Sequence, residues 1–162
     1  MKLSALWPAV LALSLSACAS YAPRGLEVGQ TADDVLRRMG PPTGSYPLAD
    51  GGRQLEFARG PYGHHTYMVE LDAQGRVTGW RQTLTEANYA RVVPGLSRHD
   101  LLLLLGRPAE TQQMPRQHVQ VWNYPATTGD CLWFQVALTE DGRVKGTMRA
   151  TDWRCNGDDS RS

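Results

Sequence analysis

Two stretches decide the fold of this chain, GQTADDVLRRMGPP at residues 29–42 and GLSRHDLLLLLGRP at residues 95–108. Four residues of the first stretch recur in the second, each 66 positions later. The matched pairs are Gly29 and Gly95, Asp34 and Asp100, Gly40 and Gly106, and Pro42 and Pro108. An internal repeat at a constant distance indicates one structural unit that occurs twice in the chain.

Each stretch predicts a helix of about two turns. Thr31 and Ser97 suit the N-cap, because a hydroxyl accepts a hydrogen bond from a free backbone N–H of the first turn. The aspartate three residues later bonds back to the cap and favours the helix dipole. Apolar residues then follow at helical spacing, Val35, Leu36 and Met39 in one stretch and Leu101, Leu102 and Leu105 in the other. Gly40 and Gly106 permit a left-handed C-cap, and proline two residues on stops the helix.

Strand patterns follow each helix. Tyr67, Val69 and Leu71 alternate with other residues, as Phe134, Val136 and Leu138 do 67 positions later. Leu55 and Phe57 alternate in the same way, and so do Trp122 and Tyr124. Segments 72–75 and 139–142 end in glycine, which is typical of hairpin turns. We therefore expect an α+β fold in which a helix and a three-stranded antiparallel meander occur twice, with the helices on one face of the sheet.

The N-terminus reads MKLSALWPAVLALSLSACAS. One basic residue, a short apolar stretch and small residues in this order are typical of an export signal. The apolar stretch is far shorter than the roughly 20 residues that span a bilayer. Residues 15–18, Leu-Ser-Ala-Cys, resemble the bacterial lipobox, which implies that Cys18 is lipidated and becomes the mature N-terminus. The alternative is an ordinary signal peptide with a cysteine there by chance. Ala19 in place of aspartate implies sorting to the outer membrane.

These patterns divide the chain into five segments. We expect a lipoprotein signal peptide at 1–17, a lipidated tether at 18–25, a first unit at 26–86, a second unit at 87–155 and a flexible tail at 156–162. Termini without apolar patterning are commonly poorly ordered.

Two cysteines remain after Cys18. In an oxidising periplasm Cys131 and Cys155 most simply form a disulfide, which contributes roughly 3 kcal/mol for a loop of this length. Trp153 is expected to pack on that bridge. The alternative is two reduced thiols. A zinc site has little support, because no CxxC pair lies nearby.

The charge balance excludes one class of partner. The chain has 17 Lys and Arg residues against 16 Asp and Glu residues, and Lys2 lies in the signal segment. The net charge of the mature chain is therefore close to zero. A nucleic-acid binder needs a basic surface, so we expect no nucleic-acid partner.

The repeated pattern resembles a known family. Each unit carries Gly-x-Ser/Thr-x-x-Asp-Val/Leu, then Gly-x-Pro, an aromatic strand and Gly-Arg-Val. On a lipoprotein, this pattern looks like the SmpA/OmlA (BamE-like) family, which implies an outer-membrane lipoprotein associated with β-barrel assembly. The tandem arrangement is similar to beta-lactamase inhibitory protein, which implies that the two units line up into one long sheet.

Patterns of catalytic chemistry are absent from the sequence. No serine lies in a Gly-x-Ser-x-Gly elbow, and no glycine-rich phosphate loop occurs. His64 and His65 are adjacent in a loop, where a solvated pair is a simpler interpretation than a metal site. We therefore expect a protein that is not an enzyme and holds no cofactor and no metal.

Aromatic residues suggest a partner-binding surface. Trp133 points away from the face that carries Phe134, so it lies on the opposite side of its strand. Trp80 has the opposite parity to Val77 and is expected to share that side, as are Met68 and Val121. Aromatic residues and methionine are enriched at interface cores, so these four are candidate partner-binding residues. The alternative is that this face packs on the other unit or on the linker at 87–94.

Together these patterns predict a lipid-anchored protein on the periplasmic face of the outer membrane. We expect a non-enzymatic binding or scaffold module with an envelope protein as partner, in outer-membrane protein assembly or envelope integrity. The alternative function is an inhibitor or sensor that binds a periplasmic enzyme through its sheet face.

Overall fold

The computed structural model describes residues 22–59, 63–127, 131–152 and 155. The expected signal peptide, Cys18, Trp153 and the expected tail at 156–162 lie outside the described residues. Within them, no helix is long and apolar enough to cross a membrane.

The described chain folds into two units of the same design, joined by a short helix. The first unit consists of α1 (Ala32–Met39), β1 (Gly44–Pro47), β2 (Arg53–Ala58), β3 (Thr66–Leu71) and β4 (Val77–Gln82). The connection contains α2 (Glu86–Tyr89). The second unit consists of α3 (Arg98–Leu105), β5 (Glu110–Met114), a 3-10 turn (Pro115–Gln117), β6 (Val119–Pro125), β7 (Leu132–Thr139) and β8 (Val144–Thr151). The predicted α+β class and the two tandem units are confirmed.

Each unit has four strands, where the sequence predicts three. The eight strands form two separate antiparallel sheets, β1-β2-β3-β4 and β5-β6-β7-β8, instead of one long sheet. The strands that sequence reasoning missed, β1 and β5, lie at sheet edges. In β1 only Tyr46 is buried, and β5 buries no side chain fully. Edge strands of this kind lack the apolar alternation that identifies a strand from sequence.

The helix ends follow the predicted chemistry with one difference. Thr31 and Asp34 form a reciprocal capping box, and the Ser97 hydroxyl accepts from the Asp100 N–H at 3.1 Å. Gly40 and Gly106 both have positive φ, +80° and +86°, but their ψ values of −166° and −167° are extended. The predicted left-handed C-cap is therefore wrong in detail. The glycines turn the chain sharply out of the helix into the edge strand.

Each helix packs on one face of the sheet in its own unit, which we call the inner face of that sheet. In the first unit, Val35 and Met39 of α1 meet an apolar set consisting of Leu55, Phe57, Val69, Leu71 and Val77. In the second unit, α3 buries three leucines against Trp122, Tyr124, Phe134, Val136 and Leu138. Leu84, Tyr89 and Val92 of the connection join the second core. Trp122 and Tyr124 are thus core residues, as the strand pattern indicates.

The opposite, outer face of the first sheet docks on the C-terminal turn of α3. Gln54 Nε2 and Arg81 Nη2 donate to the Leu103 carbonyl at 2.9 and 2.8 Å, and Thr83 Oγ1 donates to the Leu105 carbonyl at 2.8 Å. The last carbonyls of a helix lack partners within it, and a cation near them is favourable. The side chains of one sheet thus complete the helix of the other unit.

A buried carboxylate reinforces this contact between the units. Glu56 is fully buried on the outer face of the first sheet and accepts from the Tyr46 hydroxyl at 2.5 Å, Thr43 Oγ1 at 2.8 Å and the Arg107 N–H at 3.0 Å. Burial, together with the neighbouring Glu56 carboxylate, raises the pKa of Tyr46. Three donors from both units therefore satisfy a charge that would be costly to bury alone.

Candidate partner-binding surface

The outer face of the second sheet forms an open groove. Val119, Val121 and Ala137 line it, and Met114 and Met148 stand at the two edge strands that border it. Its volume is about 480 Å³. Side chains that alternate along a strand place these residues on the face opposite α3. The groove is therefore an apolar surface at the end of the molecule.

The groove corresponds position by position to the face of the first sheet that binds α3. Leu55 pairs with Val69 in the first sheet as Trp122 pairs with Val136 in the second. On the outer faces, Gln54 therefore corresponds to Val121, Glu70 to Ala137 and Arg81 to Met148. Polar groups that hold a helix end in the first unit are replaced by apolar groups in the second.

The groove carries little charge. Among the described residues that line it, Lys145 is the one with an ionised side chain. Gln112, Gln117 and Gln135 supply amide groups, and Gln135 Nε2 donates to Asn123 Oδ1 at 3.1 Å. A surface of this kind can hold apolar side chains and also offer a few donors at its border.

Two of the four predicted partner-binding residues lie on this face. Val121 lines the groove and is 7% exposed. Trp133 lies on the same side of the sheet, in the second residue pair from the start of β7, where it pairs with Ala150 of β8. It is only 4% exposed. Both side chains are therefore largely buried and offer little contact area to a partner.

The prediction for Met68 is wrong, because its side chain is fully buried between the units. Its Cε atom lies beside Gly106, where a Cβ atom would come within 3.0 Å of it. Here the alternative interpretation holds, since the outer face of the first sheet packs on the other unit. Met68 contributes to that internal contact and is inaccessible to a partner.

The prediction that Trp80 shares the face of Trp133 is also wrong. A β-bulge shifts the register between β3 and β4, so Trp80 pairs with Val69 on the inner face. The bulge adds one residue, which reverses the parity counted from Val77. Trp80 is 47% exposed and meets the ring of Tyr67 edge-on at 6.4 Å. It lies on the helix side of the first sheet, away from the groove.

Sequence reasoning missed the most exposed large apolar residue among the described residues of the groove, Met148. Its side chain is 61% exposed on the edge strand β8. Extending the repeat to the last strand would have found it, because Met148 stands where the first unit has Arg81. An apolar residue at a position that is charged in the other unit is the signal.

Cys131 and Cys155 form the disulfide that the sequence predicts. Their Cα atoms are 5.8 Å apart, and the Asp152 N–H donates to the Cys131 carbonyl at 2.8 Å. The bridge ties the chain after β8 to the start of β7. It therefore closes one end of the second sheet.

The histidines do not assemble a reactive centre within the described ranges. His64 and His65 are exposed, and His118 Nδ1 lies 3.0 Å from Glu140 on the surface. Among the described residues, no group of three or more His, Cys, Asp or Glu side chains is placed to hold a metal ion.

Comparison with known proteins assigns the chain neither a family nor a function. No protein-family profile matches the sequence, and no curated protein is significantly similar to it. Among solved structures, the chain is similar to a DUF4309 family protein, YjgB, from Bacillus subtilis, with 14% identity and a TM-score of 0.31. That alignment covers 79% of this chain and 83% of the other.

Proposed function

We propose that this protein is a non-enzymatic lipoprotein of the outer membrane whose periplasmic domain binds an envelope protein through the groove of the second sheet. The observation that carries the proposal is the open apolar groove. The equivalent face of the first sheet binds the C-terminal turn of α3, so this kind of surface already serves as a docking face within the molecule. The lipobox-like segment at 15–18 supports the anchor, and the family resemblance supports a role in outer-membrane protein assembly or envelope integrity.

The position of the groove suits a tethered module. The described chain begins on the first unit, where Leu26 joins the α1 core and Arg38 Nη1 donates to the Arg24 carbonyl at 2.9 Å. The first sheet, α3 and the second sheet lie between that start and the groove. At roughly 10 Å per layer, they put the groove on the order of 30 Å from α1. A lipid at Cys18 would leave the groove free to meet a periplasmic partner.

Site-specific cross-linking in cells tests the partner. A photoreactive residue at Met148 should capture an envelope protein reproducibly, whereas the same residue at Trp80 should not, although both positions are exposed. The full chain without the photoreactive residue should co-purify with the same envelope protein. Absence of any envelope protein from both experiments would contradict the binding role.

A separate experiment tests the anchor. Cys18→Ser removes the only lipid acceptor that the lipobox resemblance implies, so the variant should move from the outer-membrane fraction to the soluble periplasmic fraction. Several acyl chains give stable membrane attachment because each buried methylene contributes about 0.8 kcal/mol. Unchanged membrane fractionation would contradict lipid anchoring at this cysteine.

The second candidate function is an inhibitor or sensor that binds a periplasmic enzyme through the same face. The nearly uncharged groove favours it, since interface cores are depleted in charged residues. Met148→Glu should abolish the contact, and Trp80→Glu is the control on the other sheet. If the captured partner is an enzyme, its activity with and without the purified protein separates inhibition from scaffolding.

A further inference from the structure

We propose that the groove receives an amphipathic helix of the partner protein, laid on the second sheet with its C-terminal end towards Lys145. The inference rests on the proposed binding function and specifies the structural class of the partner segment. It follows from what the first sheet binds and from how the second sheet differs.

The first step is the occupant of the equivalent face. The outer face of the first sheet holds the C-terminal turn of α3, with Gln54 and Arg81 donating to the Leu103 carbonyl. The second sheet has the same strand order and equivalent pairing of its central strands. Within the molecule itself, a sheet face with this strand order and register therefore already binds the end of a helix.

The second step is the change in chemistry. Val121 and Met148 replace the two donors, and Ala137 replaces Glu70. A helix that meets this face must bring apolar side chains where α3 brings backbone carbonyls. A stripe at positions i, i+3, i+4 and i+7 supplies such side chains, and recognition of a helix in an apolar groove commonly uses it.

The third step concerns direction. Lys145 lines the groove. Its equivalent in the first unit is Thr78, the extra residue of the bulge between β3 and β4. In the first unit the cation near the helix end is Arg81, which also pairs with Glu70. A cation stabilises the C-terminal end of a helix or an acidic residue near it. The remaining cation of the groove therefore orients the incoming helix.

A second copy of this chain fits the groove less well. If α1 of another copy docked as α3 does, the carbonyl of Arg37 would face Val121 and Met148, and that of Met39 would face Ala150, and none of these side chains can donate. A buried carbonyl without a hydrogen-bond donor is unfavourable. Val121 and Met148 therefore suit a helix with apolar side chains and disfavour docking of α1 from a second copy of this chain.

Residue-level cross-linking tests the inference on the full lipidated chain. With the photoreactive residue at Met148, the cross-linked positions of the partner should lie three or four residues apart and carry apolar side chains. Lys145→Glu should reduce capture at least threefold, and Arg53→Glu, an exposed basic residue of the first sheet, should leave it unchanged. Ala137→Glu should abolish capture with the unfolding midpoint preserved.

The other outcomes overturn the inference in distinguishable ways. Partner positions two residues apart would indicate a strand added along β8 and would refute the helix while keeping the binding function. Cross-links within copies of this chain, or to lipid alone, would refute a partner helix. Capture from Trp80 but not from Met148 would refute the groove. No partner at either position would refute the proposed function itself.

Discussion

Glu56 has three donors directed at it and no contact with solvent. Its carboxylate joins Tyr46 and Thr43 of the first unit to the Arg107 N–H of the second. Hydrogen bonds to a charged acceptor contribute about 1.5–3 kcal/mol, and removing one partner from a buried group exposes the full cost of its desolvation. A single side chain therefore links the stability of the two units.

Glu56→Gln should lower the free energy of unfolding by about 2 kcal/mol, because the amide keeps the shape but loses the charged acceptor. Urea unfolding followed by tryptophan fluorescence measures this. Glu70→Gln is the control, since Glu70 forms a partly exposed ion pair with Arg81 and its loss should cost under about 1 kcal/mol. Equal losses for the two variants would contradict the role assigned to Glu56.

Among the described tyrosines, three have raised pKa values. Burial is the first cause for Tyr46, Tyr89 and Tyr124 alike. A tyrosine with a raised pKa in the folded state favours folding while its hydroxyl is protonated. This contribution to the free energy of unfolding is complete below the pKa of the unfolded chain, about 10, and is lost as the pH rises above that value. The urea midpoint should therefore fall above about pH 10, and Tyr46→Phe should weaken that fall. A midpoint independent of pH in this range would contradict the burial of these phenols.

At the level of the elements, α1, α3 and the hairpin turns at 72–75 and 139–142 could be predicted from local chemistry, whereas α2 could not. A cap, an apolar stripe and a glycine act within one turn, so residues 29–42 and 95–108 contain the information they need. The edge strands β1 and β5 could not be predicted, because they are polar and depend on a neighbouring strand. The face of Trp80 could not be predicted either, since the bulge that sets it leaves no mark in the apolar pattern.

Local patterns also explain why only some of the candidate partner-binding residues could be placed correctly from the sequence. Val121 and Trp133 lie on the outer face of the second sheet because alternation along a strand is local. Met68 was misassigned because Gln54 and Arg81 look like solvent-exposed residues in the sequence. Their hydrogen bonds to α3 depend on how the units meet, which the pattern of one unit does not contain.

The two glycines at the helix ends give a matched comparison. Gly40→Ala should cost about 1 kcal/mol, because φ is positive there but a Cβ atom would meet nothing within 4 Å. Gly106→Ala carries the same strain, and its Cβ would also lie 3.1 Å from Glu56 Oε2 and from Thr66 Cγ2. It should cost at least about 1 kcal/mol more, as overpacking does. Thermal and urea unfolding of both variants measure the difference, and equal costs would argue against tight contact between the units.

At the scale of the whole molecule, the packing runs from α1 through the first sheet and α3 to the second sheet. Each unit supplies groups that the other requires, so we expect the described domain to unfold as one cooperative system. The disulfide lies in the second unit, yet we expect it to stabilise both units against unfolding.

Replacing Cys131 and Cys155 together with alanine should lower the free energy of unfolding by about 3 kcal/mol, given the separation of 24 residues. Probes in both units should show the same midpoint before and after the change. A second-unit transition at lower urea than that of the first unit would contradict coupling across the contact.

Exchanging residues between equivalent positions tests the asymmetry of the two outer faces. Gln54→Val with Arg81→Met should destabilise the fold by about 2 kcal/mol, because the Leu103 carbonyl loses both donors. The reciprocal pair Val121→Gln with Met148→Arg should change stability by much less, because that face covers no helix. Equal effects in urea unfolding would show that the donors to Leu103 contribute little.

The outer face of the first sheet carries hydrogen-bond donors, and the outer face of the second sheet carries apolar residues at the same positions. The two-unit molecule therefore has two chemically different ends. A stack with the units in the reverse order would set the carbonyl end of α1 against Val121 and Met148. It would also leave Gln54 and Arg81 facing water, with a buried carboxylate beside them uncovered. The two units are thus chemically non-interchangeable, and their order in the stack is set by which outer face can donate to the end of a helix.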